Sequence, residues 1–131
     1  MNSIICLGNR FVTDDNVGVI VGYLLKKKYP KLNVYICETD TLYTQDVLYE
    51  NKSIVIVDAV SIGIEAGSFI ILPINKLKAQ SFLAHDSTLF LNTNTGFLFG
   101  IQAGNLNVGY GISYNIKKNL NLYISEVCKL L

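Results

Sequence analysis

The segment 4–18 restricts the possible folds of this chain more than any other. It begins with a short apolar run, continues through the turn residues Gly8 and Asn9, and reaches the adjacent carboxylates Asp14 and Asp15 before an amphipathic stretch. This order predicts a buried strand, a turn and a helix start. The turn then lies at the carboxyl end of a parallel strand, the edge where open α/β sheets bind ligands.

Hydrophobic periodicity predicts strands that alternate with helices along the chain. The predicted strands are Ser3–Leu7, Leu32–Cys37, Ser53–Val57, Ser68–Leu72 and Gly96–Ile101. The predicted helical segments are Asp14–Lys28, Thr41–Glu50, a weak turn over Ile74–Gln80, a helix entered through the loop Ser81–His85 and ending near Leu91, and Ile112–Leu131. This alternation predicts one α/β domain, 1–131, built as a three-layer α/β/α sandwich around a five-stranded, mostly parallel sheet.

The direction of the fourth strand follows from the length of a loop. The link Ser61–Gly67 is too short for a parallel crossover, so the fourth strand is predicted to run antiparallel.

The helices have a predicted cap and predicted inward faces. Thr13 or Asp14 is a suitable cap for the first helix. The apolar spacing predicts these inward-facing helix residues: Val17, Ile20, Val21, Leu24 and Leu25; Leu42, Val47 and Leu48; Ile116, Leu120, Tyr123, Ile124 and Val127.

Composition excludes several classes of protein. Half of the residues are hydrophobic and the mean hydropathy is +0.36, so the chain is not expected to be disordered. A net charge of +1 gives no electrostatic reason for nucleic-acid binding. No apolar run approaches the roughly 20 residues that span a bilayer, and the N-terminus lacks the pattern of a signal peptide. We expect a monomeric cytoplasmic protein that binds neither nucleic acid nor membrane.

The cysteines are widely spaced and form no metal-binding or redox pair. Cys6 and Cys37 lie inside strand-like apolar runs, and Cys128 lies near the C-terminus. Buried, reduced thiols are the expected state.

Three residues with metal-binding side chains follow predicted strands or lie in a loop. Asp15 follows the first strand, Asp58 follows the third, and the single histidine, His85, is downstream of both. Two carboxylates and one imidazole suit a borderline metal ion. Simpler explanations remain open: Asp15 as a carboxylate favoured by the helix dipole, Asp58 as a turn residue and His85 as a surface residue.

The motifs of the chain resemble those of a known enzyme family. The family's opening signature is similar to Gly8-Asn9, Thr13-Asp14-Asp15 and Val17-Gly18-Val19. Further segments similar to the family are Asp58-Ala59 after the third strand, His85, the strand Phe97–Ile101 with Gln102, and Gly109 and Ser113 before the last helix. The family is that of the hydrogenase maturation endopeptidases, and the resemblance spans nearly the whole chain.

This resemblance implies removal of a C-terminal peptide from the large-subunit precursor of a nickel–iron hydrogenase. It implies that Asp15, Asp58 and His85 bind nickel, which the precursor itself contributes. Such an oxygen–oxygen–nitrogen set leaves coordination positions for thiolates of the substrate. Asp15 and Asp58 are also the expected catalytic residues of an aspartic-type endopeptidase, although polarisation by the metal and general-base catalysis both remain open. Gly8, Asn9 and Glu38 are expected to bind substrate.

Three other functions are compatible with parts of the sequence. A nickel-dependent docking or chaperone protein would retain the same triad without cleaving. Peptidyl-tRNA hydrolases have an opening like Asn16-Val17-Gly18, but Asp15 stands where that enzyme needs histidine. A flavodoxin-like nucleotide binder would need a phosphate-binding glycine loop, and the chain has no GxGxxG motif.

Overall fold

One five-stranded sheet organises the computed structural model, which describes residues 2–77 and 93–131. The strands are β1 (Ser3–Leu7), β2 (Val34–Glu38), β3 (Ser53–Val60), β4 (Phe69–Pro73) and β5 (Thr95–Gln102). The helices are α1 (Val17–Lys28), α2 (Thr41–Glu50), α3 (Ile74–Leu77), α4 (Tyr114–Lys117) and α5 (Leu120–Cys128).

The strand order is β2-β1-β3-β5-β4. The pairs β1/β2, β1/β3 and β3/β5 are parallel, whereas β4 runs antiparallel to β5. The predicted α/β class, the parallel neighbours β1 and β3, and the antiparallel fourth strand are all confirmed. Within the described ranges, no helix has the length and apolarity needed to cross a membrane.

Side chains alternate across the sheet and form two apolar layers, because successive residues of a strand face opposite sides. One layer joins α1 and α5 to the sheet and contains, among others, Val17, Val21, Val55, Val57, Phe99, Tyr123 and Val127. The other joins α2 and α3 to the sheet and contains Ile5, Leu7, Val47, Leu48, Ile56, Ile74 and Leu98, among others. Helices therefore cover both faces, as predicted for a three-layer sandwich. Cys6 and Cys37 are buried free thiols, and Cys128 is a free thiol at partial exposure.

Several predicted boundaries were wrong. Helix α1 begins at Val17, with Asn16 at its N-cap position, and not at Asp14. Asp14 has a φ of 62° and directs its carboxylate to other partners, so neither it nor Thr13 caps the helix. Strand β3 continues to Val60, and Asp58 therefore lies inside the strand rather than after it.

The C-terminal helix is also divided. The sequence predicts one helix, but α4 and α5 are separated near Asn119. The backbone N–H of Asn119 donates to the carbonyl of Ile116 at 3.0 Å, an i to i−3 bond that tightens the chain there. The predicted inward residue Leu42 is 82% exposed. The buried Thr44 lies two residues further along α2, about 200° away around the helix, so the two face opposite sides.

Helix α1 approaches the sheet closely at Gly18. A Cβ atom there would lie 2.6 Å from the carbonyl oxygen of Val57 and would also collide with that of Leu7. The first turn of α1 therefore rests on Leu7 at the end of β1 and on Val57 within β3, which sets the position of the chain just before it.

We predict that Gly18→Ala destabilises the fold by about 2–3 kcal/mol, because backbone carbonyls cannot yield to the added methyl group. Gly22→Ala is the matched control, since it adds the same residue to the same helix but meets the side chains of Cys6 and Ile36. Urea unfolding should show a clearly larger loss for Gly18→Ala. Equal losses would contradict the close packing of α1 on the strand ends.

Candidate active site at the carboxyl edge of the sheet

The turn after β1 is built around Gly8. Its φ of +153° favours glycine, and a Cβ atom there would collide with the carbonyl oxygen of Asp15. The Gly8 N–H donates to the carbonyl of Glu38 at 3.2 Å, which joins this turn to the end of β2. The sequence prediction that Gly8 serves a tight turn agrees with this geometry.

Asp15 lies in this turn, just before α1, and is 6% exposed. Its Oδ2 accepts a hydrogen bond from the backbone N–H of Asn9 at 3.0 Å. Its own backbone N–H donates to the carbonyl of Thr13 at 2.7 Å. The side-chain oxygen of Asn9 accepts the Phe11 N–H at 2.9 Å, so Asn9 closes a local turn and orients Asp15 through its backbone.

Asp58 is fully buried in β3, and its Oδ1 accepts the N–H of Ala59 at 2.8 Å. It follows Val57, whose carbonyl lies under the first turn of α1 at Gly18. Asp15 precedes that same turn by only a few residues. The structure therefore brings Asp15 and Asp58 to the carboxyl edge of the sheet, one from the loop above β1 and one from β3.

The third predicted ligand, His85, lies outside the described residues. Within residues 2–77 and 93–131, no group of three histidine, cysteine or carboxylate side chains is close enough to hold a metal ion. This part of the chain supplies two acidic oxygen donors, which suit a borderline divalent ion only when further donors complete the set.

Asp14 is fully buried, and its carboxylate accepts four hydrogen bonds. Its Oδ1 accepts the Ser113 N–H at 2.6 Å, and its Oδ2 accepts the Ser113 hydroxyl at 2.6 Å. Oδ2 also accepts the N–H groups of Gly104 at 2.9 Å and Asn105 at 2.6 Å. Asp14 thus binds the segment 104–113 to the turn that carries Asp15.

The pKa of Asp14 reflects this environment. Burial opposes the charged form and alone would raise the pKa. Hydrogen bonds from Ser113, Asn105 and Gly104 stabilise the carboxylate and outweigh burial, so the pKa lies below its ordinary value of 3.8. Asp14 is therefore an anion at neutral pH, held by four donors.

An open cleft of about 500 Å³ lies beside Asp15, between the turn after β1 and the start of α2. Its walls include Gly8, Asn9 and Glu38, the three predicted substrate-binding residues. Glu38 has a φ of 54°, and its Oε1 accepts the Nε–H of Arg10 at 2.6 Å. This ion pair spans the two sides of the cleft.

Sequence reasoning missed two of these features. The sequence placed Asp14 in the family-like motif Thr13-Asp14-Asp15 and offered it as a helix cap, and it gave Arg10 no role. No spacing in the sequence connects Asp14 to Ser113, which is 99 positions away.

Comparison of the sequence with models of protein families gave no match, and comparison with curated proteins gave none either. Among solved structures, the fold is similar to that of the NiFe hydrogenase maturation protease HybD from Thermococcus kodakarensis. The TM-score is 0.79 at 25% sequence identity, over 99% of this chain and 99% of that chain. The resemblance of the chain to the NiFe hydrogenase maturation proteases is therefore confirmed.

Two further solved structures share the fold of this chain. The hydrogenase maturating endopeptidase HybD from E. coli has a TM-score of 0.80 at 15% identity, over 97% of this chain and 90% of that chain. The NiFe hydrogenase maturation protease HycI from Thermococcus kodakarensis has a TM-score of 0.76 at 24% identity, over 98% of this chain and 90% of that chain. These two structures show the shared fold, and the likeness to HybD from Thermococcus kodakarensis supports the assignment of the chain to the peptidases.

We predict that Asp14→Asn destabilises this protein by about 3 kcal/mol or more, because the amide nitrogen faces N–H donors and the charge is lost. Ser113→Ala, which removes only the hydroxyl donor, should cost about 1–2 kcal/mol. Urea unfolding at pH 7 measures both. Equal stability of Asp14→Asn and the wild type would contradict the four-bond arrangement.

The same carboxylate should give the wild type an acid-sensitive stability. Its pKa is lower in the folded than in the unfolded chain, so its contribution is fully present above the unfolded value of about 3.9. That contribution is lost as the pH falls through the folded pKa. The difference in unfolding free energy between wild type and Asp14→Asn should therefore shrink as the pH falls below about 4. A difference that is independent of pH from 7 to 2 would contradict this.

Proposed function

We propose that this protein is an endopeptidase that removes a C-terminal peptide from the nickel-loaded large-subunit precursor of a hydrogenase. The observation that carries the proposal is a pair of buried carboxylates near the first turn of α1: Asp15 just before it, and Asp58 next to Val57, whose carbonyl lies under Gly18. The open cleft of about 500 Å³ adjoins Asp15 through Asn9, which lines the cleft and donates its N–H to the Asp15 carboxylate. The cytoplasmic location expected from the sequence stays part of this proposal.

The nickel ion belongs to the precursor, so it is part of the substrate. In this proposal Asp15, Asp58 and His85 contact that ion when the precursor docks. The Asn9 N–H holds one oxygen of Asp15 and the Ala59 N–H holds one oxygen of Asp58, so both carboxylates are partly oriented before the precursor binds. A precursor without nickel would lack the group that these residues recognise.

Peptide hydrolysis needs a base for water and an acid for the leaving amine. One carboxylate of the Asp15/Asp58 pair accepts a proton as the water oxygen attacks the scissile carbonyl carbon. The resulting tetrahedral intermediate breaks its C–N bond, and the protonated carboxyl group returns the proton to the departing amine. Gly8, Asn9 and Glu38 hold the polypeptide along the cleft during these steps.

We predict that Asp15→Asn and Asp58→Asn each lower the cleavage rate of nickel-loaded precursor by roughly 100-fold or more, since general-base catalysis contributes that much. His85→Ala should abolish cleavage as well. Intact mass, read over time, reports loss of the C-terminal peptide. Asp46→Asn is the matched control, because Asp46 is exposed on α2 and away from the edge.

Wild-type rates in all three site variants would refute this assignment of the site. Tight binding of precursor by the wild type without any cleavage would instead identify a docking protein. Circular dichroism and urea unfolding of each variant establish that a lost rate is not a lost fold.

A further inference from the structure

An exposed apolar surface lies next to the candidate active site. We call it the aromatic platform, and it consists of Phe11, Leu106, Val108 and Tyr110. Val108 is 89% exposed and Tyr110 82% exposed. Contiguous apolar side chains in solvent are unfavourable and commonly mark a surface that binds another protein.

Backbone hydrogen bonds hold the platform in place. The Thr13 N–H donates to the carbonyl of Asn107 at 2.9 Å, and the Gly109 N–H donates to that of Phe11 at 2.9 Å. Between these bonds, Val12 and Val108 form an antiparallel bridge. The platform is thus a small paired structure whose apolar side chains are held outwards.

The two aromatic rings of the platform and the segment 104–113 are also held in place. Phe11 and Tyr110 meet edge to face with their ring centroids 6.1 Å apart. The side-chain amide of Asn16 donates to the carbonyl of Gly111 at 3.1 Å, and Asp14 binds both ends of the segment 104–113. A preorganised surface of this kind loses little conformational entropy on binding.

The platform is continuous with the cleft. Phe11 belongs to the platform and also lines the cleft, next to Asn9. Asn9 in turn donates its N–H to the Asp15 carboxylate. The folded part of a protein whose tail occupies the cleft can therefore contact the platform through the Phe11 side of the cleft.

The chemistry of the platform indicates what kind of partner it fits. The segment 103–116 contains no charged residue, although 16% of the whole chain is charged. Aromatic enrichment and depletion of charge are typical of the centre of protein–protein interfaces. A nucleic acid or an anionic membrane would instead require basic residues.

We propose that the aromatic platform is the docking surface for the folded body of the precursor, separate from the cleft that accepts its C-terminal tail. This inference rests on the proposed function, because it takes the same precursor as the partner. Docking at the platform brings the tail to the cleft and adds affinity without taking part in the cleavage step.

The test uses the double variant Val108→Ser/Tyr110→Ser, which changes platform residues that do not line the cleft. With nickel-loaded precursor, KM should rise at least about tenfold while kcat is unchanged, because the lost contacts contribute to binding only. Tyr49→Ser is the matched control, since Tyr49 is 91% exposed on α2, and its KM should equal that of the wild type.

A second measurement separates the body from the tail. Processed large subunit, which lacks the C-terminal peptide, should still inhibit wild-type cleavage by occupying the platform. Its inhibition constant should rise at least about tenfold in the double variant. Unchanged KM and unchanged inhibition in a folded double variant would overturn the docking surface while leaving the protease intact.

Two further outcomes would overturn either the docking surface or the proposed function. If sedimentation shows that the wild type self-associates, the double variant is monomeric, and its KM is unchanged, the platform is an interface between copies of this chain. If the wild type binds precursor but cleaves none, the proposed function fails. The dissociation constants of wild type and double variant then test the platform independently of catalysis.

Discussion

The buried Asp14 carboxylate connects parts of the chain that the sheet alone would not join. Four donors from the segment 104–113 meet its two oxygens, and the next residue is Asp15. A buried charge is tolerated only when such donors replace its lost hydration. The position of Asp15, the order of the segment 104–113 and the outward arrangement of the aromatic platform therefore all depend on one anion.

The sheet and its two apolar layers were predictable because they follow from local periodicity. Strands such as Ile54–Val57 are apolar throughout, as expected when helices cover both faces. The short connection between β3 and β4 is enough to predict an antiparallel fourth strand. The errors lie where tertiary contacts override local preference. Asp14 does not cap α1, because donors far away in the sequence stabilise its carboxylate elsewhere. Leu42 faces solvent, because α2 packs on the sheet through a different side of the helix.

The candidate site was predictable in part. Residues at the ends of parallel strands meet at one edge, and that rule predicted that Asp15 and Asp58 lie on the same side of the sheet, although Asp58 lies inside β3 and not at its end. The same rule did not predict the ion pair between Arg10 and Glu38. These two residues are 28 positions apart and meet only when β1 and β2 pair. The function of His85 rests on the family resemblance, and its position lies outside the described residues.

Asp14 holds the turn after β1 against the segment 104–113. In the proposed function, Asp15 and Asp58 recognise the substrate and cleave it, and the cleft lined by Arg10 and Glu38 accepts its polypeptide. The central part of that proposal is that the carboxylates recognise a metal that arrives with the substrate.

The most direct test of that claim compares nickel-loaded with nickel-free precursor, at equal concentration and with the same preparation of wild-type protein. Intact mass should show loss of the C-terminal peptide from the loaded precursor alone. Equal cleavage of both forms would contradict recognition through nickel.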